Sequence, residues 1–177
     1  MDNFFQKAGR KFEKRITKEV GGSNTPGSGN QWHSPRDTVE KHFLIESKLT
    51  GQDHYVFELE DWFKQEQDAM KFGKMPVMVM GFFGGLEYAI THKSIWLQIV
   101  DNLDNYQLTI WVRKGKICTR IQQKLLRKSV GRITGSKVTN IVQFNIANEE
   151  FVIIPKQVFY YLKDLLNEFS EETDQED

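Results

Sequence analysis

Asp37, Glu46 and Lys48 are the residues whose types and spacing point to chemistry. They fall in Pro35-Arg36-Asp37 and, nine residues after Asp37, in Ile45-Glu46-Ser47-Lys48. Side chains two apart on an extended strand share a face, so Glu46 and Lys48 project together while Ser47 points away. Asp37, on the neighbouring strand or the turn entering it, can reach that face. Two carboxylates and an ammonium around one small space suit phosphodiester hydrolysis with a divalent ion. Hard oxygen ligands would hold Mg²⁺ (or Mn²⁺) and leave positions open for water and a phosphate oxygen. Lys48 would orient or help deprotonate that water and stabilise charge in the transition state. A cross-strand salt bridge is the plainer account, because Glu-x-Lys is common in charged proteins. Against it, Phe43-Leu44-Ile45 immediately precedes Glu46, which sets these charges at the end of an apolar strand, where unpaired charge is costly and tends to be functional.

The elements that must position these residues can be read from periodicity. Phe4, Phe5, Ala8, Phe12, Ile16 and Val20 recur at helical spacing with Lys and Arg opposite, which predicts a basic amphipathic helix over 3–20, ended by Gly21-Gly22. Residues 21–35, dense in Gly, Ser, Asn and Pro, read as a loop. Strands are expected over 38–41, 43–49 and 55–59, then a helix over 60–72 ended by Gly73, then a strand over 75–83 buried on both faces. Further strands are expected over 95–100, 106–113, 116–122, 138–146 and 151–154, and Pro155 leads into a closing helix over 158–169. Helices interleaved with buried strands predict an α/β fold built on a mixed sheet.

A chain of 177 residues has room for one domain with a real core, and 39% apolar against 27% charged residues suits a globular protein. Lys plus Arg equals Asp plus Glu at 24 each, so the total charge predicts no polyanionic partner. The distribution is uneven. Lys7, Arg10, Lys11, Lys14, Arg15 and Lys18 crowd the first helix, and 105–148 carries nine Lys and Arg residues with no acid. An acidic run closes the chain at 170–177 and reads as a solvated tail. Cys118 is the only cysteine, which excludes an internal disulfide and a multi-cysteine zinc site. His33 and His42 form no metal motif. The longest apolar run, 75–83, is interrupted by Pro76 and Gly81 and is too short to span a bilayer, so no membrane partner is expected. The basic N-terminus lacks the apolar stretch of a signal peptide, which makes a cytoplasmic location the expectation.

The helix with Glu13, the Pro26-Gly27-Ser28-Gly29-Asn30 loop, Asp37, the Phe-Leu-Ile-Glu46-Ser-Lys48 strand, the helix around Trp62 and the Gly73-Lys74-Met75-Pro76-Val77 strand follow one another in an order that resembles the PD-(D/E)XK nucleases. More narrowly, the set resembles the archaeal and phage-type Holliday junction resolvases. The resemblance covers roughly 9–83, and 151–166 looks like the family's closing strand and helix. It implies a restriction-endonuclease-like mixed β-sheet flanked by helices, Asp37 and Glu46 as metal ligands, Lys48 as the catalytic lysine and Glu13 as an accessory acid. Glu19 is close to Glu13, and an exposed helix salt bridge accounts for either equally well. The Gly-Ser-Gly loop would lie against the DNA backbone, its glycines letting amides approach phosphate; a flexible linker is the alternative. Pro35-Arg36 departs from the Gly-Asp pairing common in the family.

Segment 86–148 lies outside the resemblance and reads as a basic, β-rich insertion between a core of 1–85 and 149–169. Its cations, with Tyr106, Trp111 and Phe144 interleaved, suit a duplex or junction surface, since each phosphate contact releases counterions. A solvated strand face or a subunit interface would look the same. The residues expected to touch DNA are Arg10, Lys14, Ser28, Gly29, Arg36, Arg113, Lys116 and Arg120. Gln65 and Gln67 lie on the helix where the resemblance often sets a polar residue facing the active site, and surface exposure is the expectation for both. The leading expectation is thus a Mg²⁺-dependent DNA endonuclease of recombination or phage genome processing, working in the host cytoplasm if phage-encoded. Branched DNA as substrate and a homodimer follow from the resemblance alone. A non-catalytic DNA-binding or scaffold protein that keeps the fold is the competing expectation, and a nuclease for single strands or ends is a third.

Overall fold

The computed structural model describes residues 2–24, 38–101, 110–115, 118–124, 126, 132–134, 137–139 and 141–173. Helix α1 (Asp2–Val20) buries Phe12, Ile16 and Val20, one side chain per turn. It ends where Gly21 enters the left-handed region at φ 68° and Gly22 N–H donates to the Thr17 carbonyl. A side chain on Gly22 would meet Thr38 and the Val39 carbonyl, which explains the second glycine. Strand β1 (Ser23–Asn24) then pairs antiparallel with β2 (Thr38–Val39), and β2 pairs antiparallel with β3 (Phe43–Thr50), Thr38 opposite Ile45.

Strand β4 (His54–Glu58) leaves the sheet and leads into helix α2 (Leu59–Lys71), which returns the chain to β5 (Met75–Phe82), parallel to β3 with Glu46 opposite Met78. Pro76 is tolerated in this central strand because it precedes the β5–β6 ladder, which runs from Met78↔Ile90 to Gly81↔Glu87. Strand β6 (Glu87–His92) follows, then α3 (Lys93–Asp101), β7 (Ile110–Gly115), β8 (Cys118–Gln122), the hairpin of β9 (Arg132–Thr134) and β10 (Lys137–Thr139), β11 (Ile141–Ile146), β12 (Glu149–Pro155) and α4 (Lys156–Thr173). Among the described residues the main sheet has eight strands in the order β1-β2-β3-β5-β6-β12-β11-β7, with β3–β5 and β11–β7 parallel and the other pairs antiparallel. The fold is α/β, a mixed sheet flanked by helices.

One face of the sheet carries α1 and α4: Phe12 lies against Gly81, and the Phe43 and Phe159 rings meet at 5.2 Å. The other face carries α2 and β4, which β8 pairs. There Phe57 and Trp62 pack on Phe144 and Phe151, a directly opposed cross-strand pair stacked at 5.2 Å. The cluster clamps α2 and β4 to the sheet. No helix among the described residues is long and apolar enough to cross a membrane.

Two expectations need correction. Segment 95–100, expected as a strand, lies in α3, where Ile95, Trp96 and Ile99 are buried and Leu97 is exposed. Spacing of i, i+1 and i+4 is one helix face, but a nearly continuous apolar run hides its period. Segment 86–148, expected as a β-rich insertion between core strands, supplies β6, β7 and β11, three of the eight described strands of the main sheet, and β6 pairs with both β5 and β12. Tyr88, Ala89, Ile90 and Thr91 are all buried, so β6 has no alternation by which to recognise it. The run expected as one strand over 138–146 is shared between β10 and β11.

Candidate functional site

Phe43, Leu44 and Ile45 are fully buried, and the next residue, Glu46, is only 6% exposed. Lys48, two residues on, returns to the same face, and its Nζ lies 2.7 Å from Glu46 Oε1. A strand that begins as core thus ends in an ion pair. The same Nζ is 4.0 Å from Asp61 Oδ2, in the first turn of α2. From β4, the Tyr55 hydroxyl donates to Met78 Sδ at 3.2 Å, and Met78 is the register partner of Glu46. Glu46, Lys48, Tyr55 and Asp61 therefore belong to one corner between β3, β4 and α2.

The electrostatics of this corner are unbalanced. Burial pushes the Glu46 pKa up, and Lys48, by charge and hydrogen bond, does not bring it back to the ordinary carboxylate range; Asp61 pushes the same way as burial. Burial, then the carboxylates of Glu46 and Asp61, raise the Tyr55 phenol, which stays protonated. Lys48 keeps 35% of its side chain exposed. The corner thus holds a buried carboxylate that would be relieved by a further positive charge.

Gln65 departs from its expected surface position. It is 3% exposed, and its Nε2 donates to the Val77 carbonyl at 2.7 Å and the Leu44 carbonyl at 3.3 Å, tying α2 to β3 and β5. Its Oε1 has no hydrogen-bond partner among the described residues. The apolar stripe of α2 passes through Trp62 and Ala69, and Gln65 occupies the turn between them. A polar residue at a core position of the heptad was the available signal. Gln67 is exposed, as expected.

Of the other expected site residues, Glu13 is half-buried on α1. It lies one turn before Thr17, whose hydroxyl is 2.7 Å from that of Thr38, so it stands on the flank of α1 that meets β2. Arg10 and Lys14 are exposed on α1, and Arg120 is exposed on β8. These cations are not brought together: α1 covers one face of the sheet, and the β4–β8 pair lies on the other. Arg113 lies in β7 opposite Phe144. Asp37, Ser28, Gly29, Arg36 and Lys116 lie outside the described residues. Tyr55 and Asp61 were missed. An acid in a first helical turn is ordinarily explained by the helix dipole, and a strand tyrosine by packing, so neither is conspicuous in sequence.

Hard oxygen donors suit a divalent cation, and Glu46 supplies them in a buried position where added positive charge is favourable. Among the described residues no three His, Cys, Asp or Glu side chains converge as a complete metal cluster. Comparison with protein-family models, with curated proteins and with solved structures finds no match to this chain.

Proposed function

We propose that this chain is a Mg²⁺-dependent DNA endonuclease of the PD-(D/E)XK type, with Glu46 and Lys48 at its centre and branched DNA as substrate. One observation carries the reading: a carboxylate 6% exposed, two residues before a lysine on the same face, whose pKa burial holds above the ordinary range. Connectivity supports the same reading, because an antiparallel β2–β3 pair, a helical crossover and a parallel β5 are the order in which the resemblance sets its acid, its Glu-x-Lys strand and the next strand.

The proposal requires the β2–β3 ladder to run one residue beyond Thr38↔Ile45, which would bring Asp37 opposite Glu46 and to its face. Asp37 and Glu46 would then hold the ion; Glu13, carried by α1 on the opposite face of the sheet, enters only as the accessory acid that the resemblance implies. When bound, the ion supplies an activated water and offsets charge on the phosphate. The Lys48 ammonium donates to the water or to a non-bridging phosphate oxygen, whose charge grows in the transition state. Glu46 holds that ammonium at 2.7 Å with Asp61 4.0 Å away, and Tyr55 lies beside them on β4. Branched DNA and a homodimer enter on the resemblance.

The test is incubation of supercoiled, linear and four-way-junction DNA with Mg²⁺, comparing wild type with Asp37→Ala, Glu46→Ala and Lys48→Ala. Junction cleavage lost in all three variants is the expected result. Cleavage that persists unchanged in them overturns the reading, and salt-sensitive DNA binding without metal-dependent turnover replaces it with a non-catalytic binding protein.

A further inference from the structure

We infer that the face formed by α1 and the β5–β6 turn binds single-stranded DNA, with bases on Phe4, Phe5 and Phe83 and phosphates on the lysines of α1. The choice of DNA over other nucleic acid rests on the nuclease reading; the surface itself does not. Phe4, Phe5 and Phe83 are 58%, 51% and 53% exposed, yet they touch one another edge to face at 5.6, 5.7 and 6.3 Å between ring centroids. Three aromatic rings gathered in one exposed place are far from the scattered apolar residues of an ordinary surface. They are also built in. Phe5 lies over Gly51, where even a Cβ would come within 2.5 Å of its ring, and Phe83 stands beside Gly84, whose φ of 66° turns the chain into β6.

Beside the rings is a cleft of about 400 Å³, walled by Lys11 and Arg15 on one side and by Phe83, Gly84 and Gly85 on the other. Its acid, Glu87, is already neutralised by Arg15 and by Lys156 at 2.6 Å. Lys11 is not: none of Lys7, Lys11, Lys14 and Lys18 pairs with another described residue, and all four are exposed. At i, i+4, i+7 and i+11 they form one stripe, roughly 16 Å long at 1.5 Å per residue, running from the rings past the cleft.

Unpaired nucleotides match both halves of this surface. A duplex offers phosphates but keeps its base faces inside the stack, whereas a single strand offers phosphates and free π-faces together. Other occupants fit less well. A helix lying in a bilayer interface needs its apolar face free, and Phe12, Ile16 and Val20 are buried against the sheet. A second copy meeting this face symmetrically would set one lysine stripe against the other. The platform lies at the end of β3 that carries Lys48, with Gly51 about 10 Å beyond Lys48 along the strand. The platform is on the α1 face and Lys48 on the α2 face, so a strand held there would pass round the end of β3 to reach the proposed cutting site.

The experiment is fluorescence anisotropy with labelled oligo(dT)20 and a labelled 20-base-pair duplex, in EDTA so that no cleavage is needed. Wild type should bind the oligonucleotide about tenfold or more tighter than the duplex, and Phe4→Ala/Phe83→Ala should lose about tenfold or more for the oligonucleotide while the duplex is held as before. Lys7→Gln/Lys11→Gln/Lys14→Gln, changed on the solvent face of α1 and so independent of the aromatic packing, should flatten the salt dependence for the oligonucleotide by about two logarithmic units per decade of salt. Oligonucleotide binding unchanged in both variants overturns the inference. So does equal loss for duplex and oligonucleotide in the Phe variant, binding of oligo(rU)20 in preference to oligo(dT)20, or a Phe-dependent association with phosphatidylserine vesicles or with a second copy in place of DNA. Mg²⁺-dependent junction cleavage is measured in parallel. Cleavage retained without single-strand preference sinks this inference alone, and preference retained without cleavage sinks the nuclease reading alone.

Discussion

Two charged clusters lie on opposite faces of the same sheet, and their chemistry differs. On the α1–α4 side, Lys156 is 5% exposed and touches Glu19 and Glu87 at 2.6 Å each, Arg15 reaches the same two acids, and the Tyr160 hydroxyl donates to Glu19 at 3.0 Å. Burial pushes the Glu87 carboxyl up, but Arg15 and Lys156 outweigh it and leave it below the ordinary range. On the α2 side, burial of Glu46 outweighs Lys48, and the carboxyl stays above it. A cluster whose charges are matched internally staples elements together; one that is left short of positive charge is suited to receive a cation from outside. A buried ion pair is therefore not evidence of function until the balance of its charges is known.

The comparison breaks most visibly in activity. Lys48→Ala and Glu46→Ala should each lower DNA cleavage at least about a hundredfold, whereas Lys156→Ala should leave turnover per folded molecule near wild type. Steady-state cleavage rates on matched folded fractions check this, and a large activity loss in Lys156→Ala with stability intact would erase the distinction.

Stability should show the reverse. Removing one partner of a buried pair costs about 3–5 kcal/mol. Because Arg15 still holds Glu87 and Glu19 is partly exposed, Lys156→Ala should cost about 2–3 kcal/mol, read as a lower urea midpoint. Gln65→Leu belongs to neither cluster and removes two hydrogen bonds to strand carbonyls. It should cost about 1–2 kcal/mol by the same measurement and leave the pH profile of cleavage unmoved.

The smallest effect sharpens the comparison most. A carboxyl whose folded pKa is raised above its unfolded value favours folding below that folded pKa and loses the contribution as pH rises through it. Glu46→Gln should therefore raise the thermal midpoint at neutral pH, the advantage shrinking on acidification and vanishing below the unfolded carboxylate range. Glu87→Gln should do the opposite: a lowered pKa contributes stability above the unfolded value, lost as pH falls through the folded one. Thermal melts of both variants across the acidic range decide the signs. On the proposed reading Mg²⁺ would be held by ionised Glu46, so cleavage should fall on acidification at a pH above that of an ordinary carboxylate.

Much of this was legible in the residues. The spacing of Phe12, Ile16 and Val20 located α1, the change of period after Leu59 located α2, and β3 and β5 were found within a residue or two. β6 was not, because a strand buried on both faces carries no alternation, and α3 was not, because a nearly continuous apolar run hides its one buried face. Of the candidate site, the Glu46–Lys48 pair was visible as i and i+2 on a strand. Tyr55 and Asp61 were not, because β4 and α2 are ordered onto that corner by Phe57, Trp62, Phe144 and Phe151, aromatic residues spread over nearly a hundred positions of chain.

Residue order alone determined that Glu46 and Lys48 share a side of their strand and that the lysines of α1 share a stripe. Both are properties of a repeating backbone, set by dihedral angles within a few residues. Only the tertiary structure decided that Glu46 is buried beside α2 while Lys48 stays partly exposed, and that the stripe runs beside three exposed rings. Burial and field are sums over neighbours brought together from distant parts of the chain, and no local pattern contains them.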